Sequence, residues 1–169
     1  ALDHTAFLGE TVSEIARQKA GIIKKNCPIL WCGNDREAEA VISDAARNLH
    51  APFYTVPLGT LKIQKADLSG TVFDFDRYKN LSLSLLGLYQ AQNGANALAA
   101  LNLLCISLAE EKIAAAFSSV CWKGRFEVLS ADPLVIADGG HNRQGVEKAV
   151  ESIEAYFPHQ KITFVSGIL

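Results

Sequence analysis

Apolar and polar positions along the chain change rhythm three times. Thr11 and Glu14 stand at capping-box spacing, and Val12, Ile15, Ala16, Ile22 and Ile23 follow at helical spacing, with Gly21 as the stop. Pro28 then opens Ile29–Cys32, an apolar run closed by Gly33-Asn34, which predicts a buried strand. Asp35 to Leu49 is an amphipathic helix with Ala38, Val41, Ile42, Ala45, Ala46 and Leu49 on one face, and Phe53 to Val56 is a short strand. This alternation of helix and strand predicts a parallel α/β sheet.

From Leu61 the period drops to two. Leu61–Ile63, Val72–Phe75 and Leu81–Leu86 alternate around a Ser69-Gly70 turn, the pattern of a small antiparallel meander. An Ala-rich helix is expected over about Gln90–Leu108 and a second over Glu110–Val120, with a break at Lys123-Gly124-Arg125. Beyond it come a strand at Phe126–Leu129, a turn at Asp132-Pro133 and a buried strand at Leu134–Ala137. A helix over Gln144–Tyr156 and a strand over Ile162–Val165 complete a β-α-β unit that would begin a second, Rossmann-like domain. The expected division is 1–124 and 125–169. The chain opens on Ala-Leu-Asp-His and closes on an apolar run, so both ends read as cut from a longer protein.

Composition narrows the function classes. With 16 basic and 18 acidic residues in 169, there is no electrostatic footprint for nucleic acid. No apolar run approaches membrane-spanning length, and no secretory signal opens the chain, so a cytoplasmic protein with no membrane partner is expected. A monomer is the expected state. Cys27, Cys32, Cys105 and Cys121 form no CxxC pair and read as buried, reduced thiols, not a zinc site.

Lys19 falls on the apolar stripe of the first helix. From the residues alone two readings stay open: a lysine snorkelling near a helix C-terminus, or one with a depressed pKa, able to capture carbon dioxide as a carbamate that faces a hard cation. Asp3-His4 lies a short loop upstream.

Read whole, LDHTAFLGETVSEIARQKAGIIK (2–24) resembles a segment of the folylpolyglutamate and dihydrofolate synthases, members of the Mur-ligase-like family. Three further stretches follow in the family's order: Gly87-Leu88-Tyr89-Gln90-Ala91-Gln92-Asn93, Trp122-Lys123-Gly124-Arg125-Phe126-Glu127, and Asp138-Gly139-Gly140-His141-Asn142. The third has Lys123 where the family usually has proline, and the fourth has Gly140 for alanine.

The resemblance implies a central ATPase domain (parallel sheet plus meander) followed by a C-terminal ligase domain. It implies His4 as a magnesium ligand and Lys19 as a carbamylated, catalytic lysine supporting a second metal. Asn93 would face adenine, and Arg125 at the hinge would swing onto phosphate. Asp138 would face ribose and phosphate, and His141 the phosphates and the incoming amino acid. The implied cofactors are ATP and Mg2+, and the substrates are L-glutamate with folate or dihydropteroate. The family's phosphate loop does not occur among these residues and is expected upstream, so this stretch alone should be inactive. Another Mur-type amide ligase acting on a cell-wall precursor, or a non-catalytic binding domain of the same fold, remain the alternatives.

Overall fold

The computed structural model describes residues 9–167, so His4 lies outside the described residues. They divide into two compact units: those up to Val56 with Ala99–Leu104, and Pro57–Leu98 with those from Cys105 onward.

In the first unit, helix α1 (Val12–Ala20) starts on the expected box: the Thr11 side chain accepts from Glu14 N–H, and the Glu14 carboxylate accepts from Thr11 N–H. Strand β1 (Ile29–Trp31) pairs in parallel with β2 (Phe53–Thr55), and α2 (Arg36–Asn48) connects them as a crossover. Asp35 caps α2 by accepting from Glu37 and Ala38 N–H, both at 3.0 Å. Ala16, Ala20 and Ile23 pack on Ile42, Ala46 and Ala51, with Trp31, Val41 and Phe53 around them. Small residues at these positions let α1 and α2 approach closely. The expected buried strand at 29–32 is shorter and only half-buried.

In the second unit, β3 (Lys62–Asp67), β4 (Gly70–Phe75) and β5 (Tyr78–Leu83) form the expected antiparallel meander. Phe73, Phe75, Tyr78, Leu81 and Leu83 are buried on its inner face. Helix α3 (Tyr89–Leu103) begins in this unit, and α4 (Glu110–Ser119) packs on β5. A Cβ on Gly94 would sit 2.7 Å from the Phe117 ring and 3.1 Å from Phe73, so glycine here lets α3 seat against both rings. β6 (Glu127–Ala131) and β7 (Leu134–Ala137) follow, and then α5 (Arg143–Tyr156).

Four expectations are corrected. The Ala-rich helix ends at Leu103, short of Leu108. β6 and β7 are an antiparallel hairpin, and β7 is not buried: Leu134 and Val135 are 42% and 43% exposed. Residues 162–165 form no strand, and Val165 is 98% exposed. A strand needs a neighbour to take its N–H and C=O groups, and no strand among the described residues pairs with 162–165. Cys27, Cys105 and Cys121 are exposed and Cys32 half-buried, so being set in an apolar run did not bury them; none of the four is in a disulfide.

Candidate functional site

The site is assembled in the second unit from three segments distant in sequence. The first is the start of α3. Its entry is clamped by α5: Gly87 N–H donates to the Tyr156 hydroxyl (2.9 Å), and Leu88 N–H donates to the Ser152 hydroxyl (3.0 Å). Ser152 is fully buried and itself donates to the Lys148 carbonyl at 2.9 Å, so both capacities of its hydroxyl are used. Tyr89 and Asn93 therefore leave α3 from a fixed start. Asn93 donates from Nδ2 to Gln90 Oε1 at 2.8 Å, which orients its amide.

The second segment is the turn at Gly124-Arg125-Phe126. Gly124 and Phe126 both have positive φ, +68° and +50°. Glycine accepts this freely, whereas for phenylalanine it is an uncommon conformation. The Phe126 ring is 1% exposed and meets Tyr156 edge-on at 5.5 Å between centroids. Gly124 N–H donates to Glu127 Oε2 at 2.7 Å.

The third is the Asp138–Asn142 loop, running from the end of β7 into α5. Asn142 caps that helix, accepting from Gly145 N–H at 2.8 Å. Asp138 ties the three segments together. Its Oδ2 accepts from Phe126 N–H (2.9 Å) and the Tyr89 hydroxyl (3.2 Å), and its Oδ1 accepts from Gly140 N–H (2.7 Å). Gly139 N–H donates to the Gly124 carbonyl at 2.8 Å. Burial first, and then the Asp138 charge, push the Tyr89 phenol up to about 12. His141 Nδ1 lies 3.2 Å from the Gly139 carbonyl, so the tautomer protonated at Nδ1 donates there and leaves Nε2 as the acceptor.

These segments enclose an open cleft of about 300 Å3, lined by Tyr89, Asn93, Arg125, Asp138, His141 and Lys148 among others. A smaller hollow of about 240 Å3 beside it is lined by Gln90, Asn93, Trp122 and Arg125. A Cβ on Gly139 would lie 2.7 Å from Arg125 Nη1, and one on Gly140 would lie 2.8 Å from Asp138 Oδ1 and 3.1 Å from the Gly145 backbone. Glycine at 140 does more than loosen the loop: it lets the loop sit tight on the start of α5. A cationic arginine, a histidine and a capped helix N-terminus around side-chain-free backbone suit an anionic group such as phosphate.

Asn93, Arg125, Asp138 and His141 thus meet in one place. Lys19 lies in the other unit, and its expected place on the apolar stripe is corrected: it is exposed, while Ile15, Ala16 and Ala20 carry the buried face of α1. Lys19 belongs to the last turn of α1, where the buried face continues through Ala20 and Ile23. Among the described residues no three His, Cys, Asp or Glu side chains gather as for a metal ion. Sequence reasoning gave no role to Tyr89, Ser152, Tyr156 or Lys148. The i, i+4 recurrence of Lys148, Ser152 and Tyr156 along α5 was a usable signal.

No protein-family model matches the chain. It is 33% identical over 176 residues to a dihydrofolate synthase/folylpolyglutamate synthase of Bacillus subtilis, covering 99% of this chain and 41% of that protein. The folylpolyglutamate synthase structure from Thermotoga maritima superposes with a TM-score of 0.77 at 31% identity, covering 87% of this chain and 36% of that one. A folylpolyglutamate synthase complex with AMPPCP and folate gives a TM-score of 0.80 at 27% identity, over 94% of this chain and 41% of that one. The chain therefore spans about two fifths of the length of these relatives. By likeness along nearly its whole length and by its Mur-ligase-like α/β fold, the chain is homologous to part of the folylpolyglutamate and dihydrofolate synthases.

Proposed function

We propose that these residues serve, within a longer protein, an ATP-dependent ligase that adds L-glutamate to folate or dihydropteroate through an acyl phosphate. The observation that carries the reading is the meeting of Asn93, Arg125, Asp138 and His141 around one cleft. Relatives solved with AMPPCP and with AMPPCP and folate support it.

In this reading the cleft takes the nucleotide. Arg125 supplies positive charge to phosphate, the Asn93 amide offers donor and acceptor to the base edge, and Asp138 holds the loop on the ribose and phosphate side. His141, with Nδ1 turned to the Gly139 carbonyl, keeps Nε2 for the proton released when the glutamate amine attacks. Lys123-Gly124 is the hinge between domains 1–124 and 125–169. ATP supplies the activating phosphoryl group. Mg2+ would be held from His4 and Lys19, with Lys19 as a carbamate and so part of the catalytic set, and would neutralise phosphate charge. The protein acts as a cytoplasmic monomer on small molecules, without nucleic acid. No described helix is long and apolar enough to cross a membrane.

The test is glutamate addition by the longer protein, followed as ADP release with folate and with dihydropteroate. ATP-dependent product from at least one substrate is expected, and loss of most activity in Arg125→Ala. The 169-residue chain alone should bind magnesium-ATP more weakly than about 1 mM in titration calorimetry. No product from either acceptor overturns the ligase reading. Micromolar ATP affinity of the isolated chain overturns the placement of the main phosphate loop upstream.

A further inference from the structure

Asp138 is engaged beyond what its own loop requires. Of the three donors on its carboxylate, only Gly140 N–H comes from the same loop; Phe126 N–H and the Tyr89 hydroxyl arrive from 12 and 49 residues away. What it holds at Phe126 is a bulky residue at φ +50°. Such a conformation persists only where surrounding contacts over-determine it. Here the contacts are all present. The ring is buried against Tyr156, the N–H is taken by Asp138, and Gly124 is bonded through its N–H to Glu127 and through its carbonyl from Gly139.

Arg125 sits between these two positive-φ residues, which set the direction in which its side chain leaves the backbone. Its Nη1 lies beside Gly139, where a single added carbon would clash. The backbone that carries Arg125 is thereby bonded on both sides, at Gly124 and at Phe126.

We propose that Tyr89 is a positioning residue: its hydroxyl anchors Asp138, Asp138 holds Phe126 N–H, and the resulting turn keeps the Arg125 guanidinium over Gly139 in the cleft. What Arg125 then binds rests on the nucleotide reading above; the latch itself does not. Burial and the neighbouring carboxylate keep the phenol protonated through the neutral range, so the hydroxyl is a standing donor. Tyr89 is half-buried, and the bond it makes is to a charged acceptor, the kind whose removal is felt.

Tyr89→Phe removes one oxygen and conserves the ring, so it should fold. In the 169-residue chain without nucleotide, it should speed Phe126 amide exchange about fivefold to tenfold and move the Arg125 Nε resonance. In an Asp138→Asn background, Tyr89→Phe should add less than about twofold, because the two act as one unit. In the longer protein, Tyr89→Phe should raise the KM for ATP about threefold or more with kcat nearly unchanged. Unchanged Phe126 exchange and Arg125 resonance in Tyr89→Phe would overturn the latch, whatever ATP does. A latch seen in exchange, in a protein whose ligation needs no ATP, supports the positioning role and overturns the nucleotide reading.

Discussion

Among the helices that begin on a side-chain cap, α1 and α5 differ in where the neighbouring polar groups find partners. At α1, Thr11 and Glu14 satisfy each other's backbone, and Glu10 N–H also donates to Glu14, all within five consecutive residues. Those bonds, the one to Thr11 N–H foremost, hold the Glu14 carboxyl below its ordinary value. At α5, Asn142 caps Gly145 in the same way, but the residues just before it bond outward, to Phe126, Tyr89 and Gly124. A polar cluster closed on its own segment stabilises a helix end. One whose partners come from three segments shapes a cleft and holds side chains in it. Lys19 and Arg125 show the consequence: both are exposed cations, but only Arg125 is held between bonded turns.

The largest effect that would break this contrast is at Phe126. Phe126→Ala removes a ring that is 1% exposed and should cost about 3–5 kcal/mol in urea unfolding of the chain. It should also shift the resonances of Gly139 and His141. A cost below about 1 kcal/mol would mean that the ring does not anchor the turn.

The caps themselves come next. Thr11→Ala and Asn142→Ala should each cost about 1 kcal/mol, since each frees an N–H of the first turn. Only Asn142→Ala should also disturb the cleft, seen as shifts at Gly139, Gly140 and His141. If Asn142→Ala leaves those resonances in place, the α5 cap is as self-contained as that of α1.

The smallest effect sharpens the comparison from its self-contained side. Asp67, at the β3–β4 turn, is lowered from 3.8 to about 2, by Lys65 first and then by Ser69. A carboxyl with a depressed folded pKa adds stability above its unfolded pKa and loses it as pH falls. The turn at 67–70 should therefore loosen between about pH 4 and about pH 2, while Asp67→Asn should be indifferent to that window. Because the group is exposed the effect is small, and two-dimensional NMR of Ser69 and Gly70 is the measurement. Equal loosening in Asp67→Asn would assign the change to other carboxyls.

Much of the site was legible in the chain, because it is written in short contiguous stretches: Gly87–Asn93, Trp122–Glu127 and Asp138–Asn142. The cap at Thr11 and the strands of the meander were legible for the same reason. Each depends on residues within a few positions of one another, where dihedral preference, side-chain period and capping act directly. The exposure of Lys19 was not, since helical spacing gives a residue's direction but not whether anything lies there. Nor was the missing strand at 162–165, because a strand exists only with a pairing partner.

By itself, then, the sequence determined most element types, the cap at Thr11, the resemblance and which four residues to bring together. The tertiary structure alone decided that they do meet, and what holds them. The bonds that do so, Tyr89 to Asp138, Leu88 to Ser152 and Gly87 to Tyr156, span 49, 64 and 69 residues. No local propensity encodes contacts at that separation. They arise only when burial of Phe126 and Ser152 brings α3, α5 and the hairpin against one another, and a buried polar group such as the Ser152 hydroxyl then takes its partners there.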